Sequence, residues 1–372
     1  MRQPGRHLVP ALLVSIVLAA CSTASSSAPI GSSSPSAPPS SSTAASAGES
    51  SSASPSASPT PPPTPATVRL ALDWTPNTDH TGFYVAQAQG WYRDAGITLK
   101  ILPYNGATPE SIVSGGQAEC GISFEDSMTF AVAAGAKLTS VMAILQHNAQ
   151  ELAVLANSGI THPRQLDGKT YAGFGYPNEV PTVRYVIRKD GGSGDFKVAT
   201  LNGAAYDALY HRQADFAITF TAWEGLEAKE RGIDLRYFKF TDYGFPDFYQ
   251  VLLACNTDWL AKNQDAARRF VGATVRGFQL AASDPDGAAK MLIDQNPGVF
   301  DANRTLPVES ARFLATNGYY VDASGKVGTQ TLDMWTAYPK FLFDQGLLTG
   351  PDGKAVKTAP DYQALFTNAY LP

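Results

Sequence analysis

Leu72-Asp73-Trp74-Thr75-Pro76-Asn77-Thr78-Asp79-His80-Thr81-Gly82-Phe83-Tyr84-Val85-Ala86-Gln87-Ala88-Gln89-Gly90-Trp91-Tyr92 decides how this chain is read. The apolar run at 68–72 predicts a strand, and Pro76 and Asn77 stop it. Residues 82–94 then predict a helix, with Phe83, Ala86 and Gln89 on one face. The segment 74–80 therefore lies at the carboxyl end of a strand, the edge where open α/β sheets bind small ligands. Trp74 either closes that strand end as a core residue or offers its ring to a ligand beside Asp73 and His80.

The same rhythm continues outward. Strand-like runs at 97–102, 120–124 and 138–145 alternate with helix-like runs at 109–114 and 126–134, which predicts a mostly parallel sheet. After Gly159-Ile160-Thr161-His162-Pro163 the rhythm restarts, with strands expected at 170–174, 197–200 and 216–220 and helices at 181–189, 203–212 and 222–231. A strand at 248–256 returns the chain toward the first lobe, and helices follow at 258–283, 285–296, 307–314 and 329–345. The expected class is α/β with two lobes joined by a hinge: first lobe 67–160, second lobe 161–248, and a return with carboxyl-terminal helices over 249–372. Two crossovers between lobes permit closure on a ligand without unfolding.

Ahead of this lies a different kind of sequence. Arg2 and Arg6 precede a mostly apolar run of 13 residues, 8–20, too short for a bilayer-spanning helix of roughly 20 residues. Leu18-Ala19-Ala20-Cys21 ends it and resembles the bacterial lipobox, so residues 1–20 are expected to be a lipoprotein signal and Cys21 the lipid-bearing first residue. Residues 22–66 are almost wholly Ser, Ala, Pro, Thr and Gly, with Glu49 the only charge. Such a segment cannot bury enough apolar surface to offset ordering entropy and is expected to be a disordered tether. The expected location is the extracellular face of a membrane.

The formal net charge of −5 and the lack of a basic run argue against a nucleic-acid partner. No Cys-x-x-Cys, His-x-x-x-His or His-Glu-x-x-His occurs, so neither a metal site nor a cofactor is expected. Cys120 and Cys255 lie in separate apolar strand-like runs; an extracellular milieu permits their pairing, but two separate buried thiols are the expected state. Catalysis is hard to assemble, because no Gly-x-Ser-x-Gly is present and the carboxylates have no assignable acid and base partners.

Five loops are expected to face the cleft: 74–80, 124–127, 146–148, 175–179 and 221–224. None contains Arg or Lys. Trp74 from one lobe and Tyr176 or Trp223 from the other are placed to sandwich a flat ring. Glu179 suits a ligand presenting amino or ring N–H donors. Glu125 either caps a helix or contacts ligand, Trp223 either contacts ligand or packs on its own helix, and Glu224 is equally an ordinary first-turn acid. His80 is either a donor or acceptor in the cleft or a half-buried histidine.

These loops resemble the periplasmic binding-protein superfamily with two α/β lobes, and within it the group that includes pyrimidine-precursor receptors of thiamin salvage. The likeness is carried by the stretches 72–86, 121–126, 146–148, 173–179 and 220–225, and runs from residue 68 to about 340. It implies a type II binding-protein fold and a monomeric ABC-importer receptor, partnered by a membrane permease and held to the membrane through Cys21. The implied ligand is hydroxymethylpyrimidine or N-formyl-4-amino-5-aminomethyl-2-methylpyrimidine. Carried over, Trp74 and Tyr176 would stack on the ring, Glu179 would read the aminopyrimidine edge, and Asn77, Gln146 and Trp223 would support it; His80 and Glu125 complete the candidate set. Related fungal enzymes make the pyrimidine by sacrificing a His beside an iron-binding Cys cluster, and this chain has no such cluster. The rival readings are a receptor for riboflavin or another heterocycle, a receptor for a sulfonate or other organic anion, and a cell-surface adhesion module.

Overall fold

The computed structural model describes residues 63–372; the expected signal, Cys21 and the tether before Pro63 lie outside the described residues. The first apolar run becomes β1 (Ala66–Ala71), whose Val68, Leu70 and Ala71 are fully buried. It pairs in parallel with β2 (Ile97–Leu102) on one side and β3 (Cys120–Ser123) on the other. Between β1 and β2, after the short 3-10 turn Thr78–His80, stand two α-helices, Thr81–Ala88 and Trp91–Asp94, rather than the single helix expected. Gly90, at φ 73°, occupies the left-handed conformation that stops the first of them.

From β4 (Leu138–Leu145) the chain crosses directly to the second sheet as β5 (Gln150–Leu155). The second sheet adds β6 (Thr170–Gly173), β7 (Lys197–Thr200), β8 (Phe216–Phe220) and β9 (Leu235–Lys239), in the order β7-β6-β8-β5-β9. The chain then returns as β10 (Val251–Asn256) to complete a first sheet ordered β2-β1-β3-β10-β4. The crossing into the second sheet thus precedes the boundary expected at residue 161, and β5 and β9 were not anticipated. Nor are the sheets mostly parallel: β10 runs against β3 and β4, and β5 against β8 and β9. A strand arriving from the other lobe enters opposite to the direction set by the βαβ units, so each crossover makes its neighbours antiparallel.

Cys120 and Cys255 form a disulfide, which corrects the expectation of two separate thiols. They are direct partners in the β3–β10 ladder, a juxtaposition that a separation of 135 residues hides from the sequence. The bond encloses the whole second sheet within one covalent loop. A second link is the helix Leu332–Asp344: Trp335 sits in a first-sheet core with Ala71, Met128 and Leu252, whereas Tyr338 and Leu342 sit in the second-sheet core with Val183 and Phe216.

Polar bonds fasten the two crossovers to one another. Asp247, just before β10, accepts from His147 Nδ1 at 2.6 Å and from the Asn148 backbone N–H at 3.0 Å, just before β5. That hydrogen bond holds the His147 imidazole above its ordinary range. Because the folded-state value is raised, the contribution is complete below about pH 6.5 and is lost as pH rises through the raised value.

Two predictions follow from these ties. Reducing the Cys120–Cys255 bond is expected to cost about 2–5 kcal/mol, lowering the denaturation midpoint; a titration finding both thiols free in unreduced protein would sink the assignment. In an NMR titration, Asp247→Asn is expected to bring the His147 midpoint down, and identical midpoints in the two proteins would remove the ion pair from the hinge.

Candidate functional site

The loop after β1 is built by its own side chains. Asn77 Oδ1 accepts from the Asp79 backbone N–H at 2.9 Å and caps the short helix Thr78–His80. The Asn77 backbone N–H donates to His80 Nδ1 at 3.2 Å, which leaves Nε2 to donate to Asp73 Oδ1 at 2.7 Å. His80 is completely buried with both ring nitrogens engaged, so it orients Asp73 rather than reaching into the cleft. Trp74, beside Asp73, remains 47% exposed, an unusual state for so large an apolar ring. Its ring centroid lies 5.1 Å from that of Tyr104, in the loop after β2.

The loop after β6 presents the opposite face. Tyr176 is 60% exposed and stacks beside Phe174, with centroids 6.3 Å apart. Glu179 opens the helix Glu179–Lys189 and folds back: Oε1 accepts from the Phe174 N–H and Oε2 from the Gly175 N–H, each at 3.1 Å. A Cβ on Gly173 would come within 2.6 Å of Glu179 Oε2, so only glycine lets the carboxylate seat there. Burial raises the Glu179 pKa, and the backbone N–H groups oppose the rise. Burial likewise raises the Tyr176 phenol, with Tyr104, Asp126, Glu179 and Asp73 adding to it. Those four groups therefore share one electrostatic neighbourhood with Tyr176, and three of them, Asp73, Tyr104 and Asp126, belong to the first lobe.

Asp126 joins the lobes directly, accepting from Asn178 Nδ2 at 2.6 Å, while the same amide donates to the Tyr338 hydroxyl at 3.0 Å. Its neighbour Glu125 is fully buried and accepts from the Tyr249 backbone N–H at 2.7 Å; burial lifts its pKa well above the carboxylate range. Gln146 is also buried, donating to the Thr329 carbonyl at 3.1 Å. Trp223 lies in the π-helical turn Thr221–Gly225 and packs against Tyr84, Leu292, Ile293 and Phe300, on the first lobe rather than on its own helix.

The open aromatic faces of the expected set are thus Trp74 and Tyr176. Glu179 lies close behind Tyr176, while Asn77, His80, Glu125, Gln146 and Trp223 are all engaged with protein groups. Sequence reasoning missed Tyr104, whose position just past β2 and next to β1 was the available signal, and Glu110, a buried carboxyl that accepts from the Ser123 hydroxyl. The site offers flat apolar faces and several acceptors, and suits a planar ligand bearing N–H donors. Among the described residues no group of three or more His, Cys, Asp or Glu is arranged to hold a metal ion.

Replacing Glu179 by Gln turns an NH2 toward one of the two backbone N–H donors it now receives. The expected cost is about 1–3 kcal/mol of unfolding free energy, measured by denaturant titration. An unchanged value would show that the carboxylate does not clamp this turn.

Comparison with known proteins accords with this geometry. The chain is 24% identical over 275 residues to a formylaminopyrimidine-binding protein of Halalkalibacterium halodurans, spanning 72% of this chain and 82% of the relative. It is 26% identical over 321 residues to the 4-amino-5-hydroxymethyl-2-methylpyrimidine phosphate synthase THI5 of Saccharomyces cerevisiae, spanning 82% and 87%. Among solved structures, the alkanesulfonate-binding protein SsuA of Xanthomonas axonopodis pv. citri bound to MOPS superposes with a TM-score of 0.60 at 16% identity, covering 83% of this chain and 99% of that one. The fold is therefore the two-lobe type II periplasmic-binding-protein fold. With the NMT1/THI5-like family matching residues 77–288, more than half of its length, the chain belongs to that family.

Proposed function

We propose that this protein is the lipid-anchored, extracellular receptor of an ABC importer, and that it binds a thiamin-pyrimidine precursor such as hydroxymethylpyrimidine or its formylaminomethyl relative. The observation that carries this reading is the pair of exposed rings, Trp74 on one lobe and Tyr176 on the other, set among carboxyls. A flat aminopyrimidine matches them: its faces take the rings and its N–H edge takes the acceptors. The formylaminopyrimidine-binding relative supports the same ligand class. Closure of the lobes on the ligand is the signal offered to the permease, because only a ligand touching both lobes favours the closed arrangement over the open one. The leader, Cys21 and the Ser/Pro-rich tether supply the anchor.

Two other chemistries fit less well. An organic anion such as a sulfonate needs cationic donors, and the five loops at the cleft carry no Lys or Arg. A synthase reaction of the fungal kind needs a free histidine and a cluster of thiols, whereas His80 has both nitrogens bonded and Cys120 and Cys255 are joined. The reading is accordingly a receptor that performs no chemistry on its ligand.

A calorimetric panel on the full chain, with hydroxymethylpyrimidine, the formylaminomethyl form, thiamin, riboflavin and taurine, tests this. Pyrimidine binding is expected, with Trp74→Ala and Tyr176→Ala each weakening it at least about threefold through loss of a stacking face. Tight binding of riboflavin or taurine without pyrimidine binding would replace the assignment.

A further inference from the structure

Three carboxyl groups near the meeting of the lobes carry a buried oxygen with no hydrogen-bond partner; Glu125 still holds the Tyr249 N–H through its other oxygen, which leaves Asp79 and Glu224. Asp79 lies in the short helix Thr78–His80 of the first lobe and is only 6% exposed, and its Oδ1 has no hydrogen-bond partner. Glu224 lies in the π-helical turn Thr221–Gly225 of the second lobe, and its buried Oε2 also lacks one. The preceding residue, Trp223, is inserted against the first-lobe side chains Tyr84 and Leu292, which brings this turn up to the first lobe. A buried acceptor left unpaired carries its full desolvation cost, so two such oxygens on facing lobes need an explanation.

We propose that Asp79 and Glu224 form a second recognition point, one carboxyl from each lobe, which takes a positively charged nitrogen of the ligand, a primary ammonium. The proposal rests on the pyrimidine-receptor reading and departs from the two ligands named there, neither of which carries an ammonium, in favour of the aminomethyl form of the same pyrimidine. An ammonium brings three donors and a compensating charge to the two oxygens. A hydroxyl brings one donor and no charge, and so leaves one acceptor unpaired.

The electrostatics agree with this placement. Burial raises Asp79 to about 7, with Asp73 and Glu224 adding to the rise and His80 opposing it. Burial raises Glu224 to about 7 as well, with Glu227 adding to it. The other titratable groups facing the pair are phenols: Tyr320 beside Asp79, and Tyr206 and Tyr210 beside Glu224. Asp73 acts on both Asp79 and Tyr176, which ties the carboxyl pair to the stacking site. With no cation near, protons occupy the pair below about pH 7, so a cationic ligand must displace them there, whereas at higher pH it meets carboxylates directly.

The experiment compares two probes on the full chain by calorimetry: 4-amino-5-aminomethyl-2-methylpyrimidine, which carries the ammonium, and 4-amino-5-hydroxymethyl-2-methylpyrimidine, which does not. At about pH 7.5 the ammonium probe is expected to bind about tenfold tighter, and at about pH 5.5 that preference is expected to shrink. Asp79→Asn and Glu224→Gln are each expected to reduce the preference at least about threefold while the hydroxymethyl probe still binds. Equal affinities for the two probes at the higher pH, or a preference that neither variant moves, would overturn the ammonium site alone. Failure of both probes, and of the formylaminomethyl form, to bind wild-type protein would remove the receptor reading together with it; binding of the formylaminomethyl form alone would overturn only the ammonium site. Should either variant fail to fold, the wild-type comparison at two pH values decides.

Discussion

The first sheet cannot be completed until the chain has been to the second lobe and back. β10 sits between β3 and β4, and five of its six residues are buried, so the first core lacks an interior strand until residues 251–256 arrive. This makes the lobes interdependent in folding while leaving them distinct in packing, because the second sheet has its own core around Tyr171, Val183 and Phe216. The Cys120–Cys255 bond fastens the return strand to β3, and the helix Leu332–Asp344 contributes side chains to both cores. The backbone passes between the two sheets at crossovers near Gln146–Asn148 and Asp247–Tyr249, where Asp247 bonds His147 and Asn148 and Glu125 bonds the Tyr249 N–H.

That arrangement decides where polar groups can serve a ligand. The loops at the facing sheet edges are short, and each spends most of its hydrogen-bonding capacity on its own shape: Asn77 and His80 build one turn, Glu179 clamps another, and Gln146 ties the crossover to Thr329. What is left for a ligand are ring faces and the spare capacity of carboxylates. His80 illustrates the division. Its ring nitrogens meet the Asn77 backbone N–H at Nδ1 and Asp73 at Nε2, and the second bond fixes Asp73 next to the exposed Trp74. A side chain that could have been a contact acts as the support of one.

Much of this was legible in the sequence where a local signal existed. Strands β4 and β8 carry largely apolar runs and β1 and β2 alternate apolar with polar residues, all four bounded by turn residues; Trp74 and Tyr176 stand in polar loops directly after strands, a position that allowed exposure but for Trp74 left a core role equally open. β5 and β9 escaped because Gln150-Glu151 opens the one and Arg236 and Lys239 interrupt the other, a pattern that suits strands beside a partly open edge but resembles loop. The disulfide was invisible for a different reason: pairing depends on which strands become neighbours, and β10 takes its place only through a long return. Glu179 was recognised as a carboxylate near the cleft, yet its bonds to Phe174 and Gly175 depend on a turn that Gly173 and Gly175 shape, a conformation that residue types alone do not specify.

The chemistry of the gap follows from counting charges as well as contacts. Asp73, Asp79, Asp126, Glu179 and Glu224 gather near the meeting of the lobes with no Lys or Arg in the surrounding loops. In water such a group is inexpensive; once the lobes exclude solvent, each carboxylate must find a donor, take up a proton, or bear the desolvation cost. Asn178 supplies a donor to Asp126, and backbone N–H groups supply them to Glu179, so those acids favour contact between the parts they join. The acceptors of Asp79 and Glu224 have no such partner. A ligand that brings N–H donors to both removes a desolvation penalty on each lobe at once, and so favours arrangements in which it reaches both. Recognition and closure become one event through the same unpaired oxygens, which is the coupling a receptor needs if its shape is to report that its cargo is aboard.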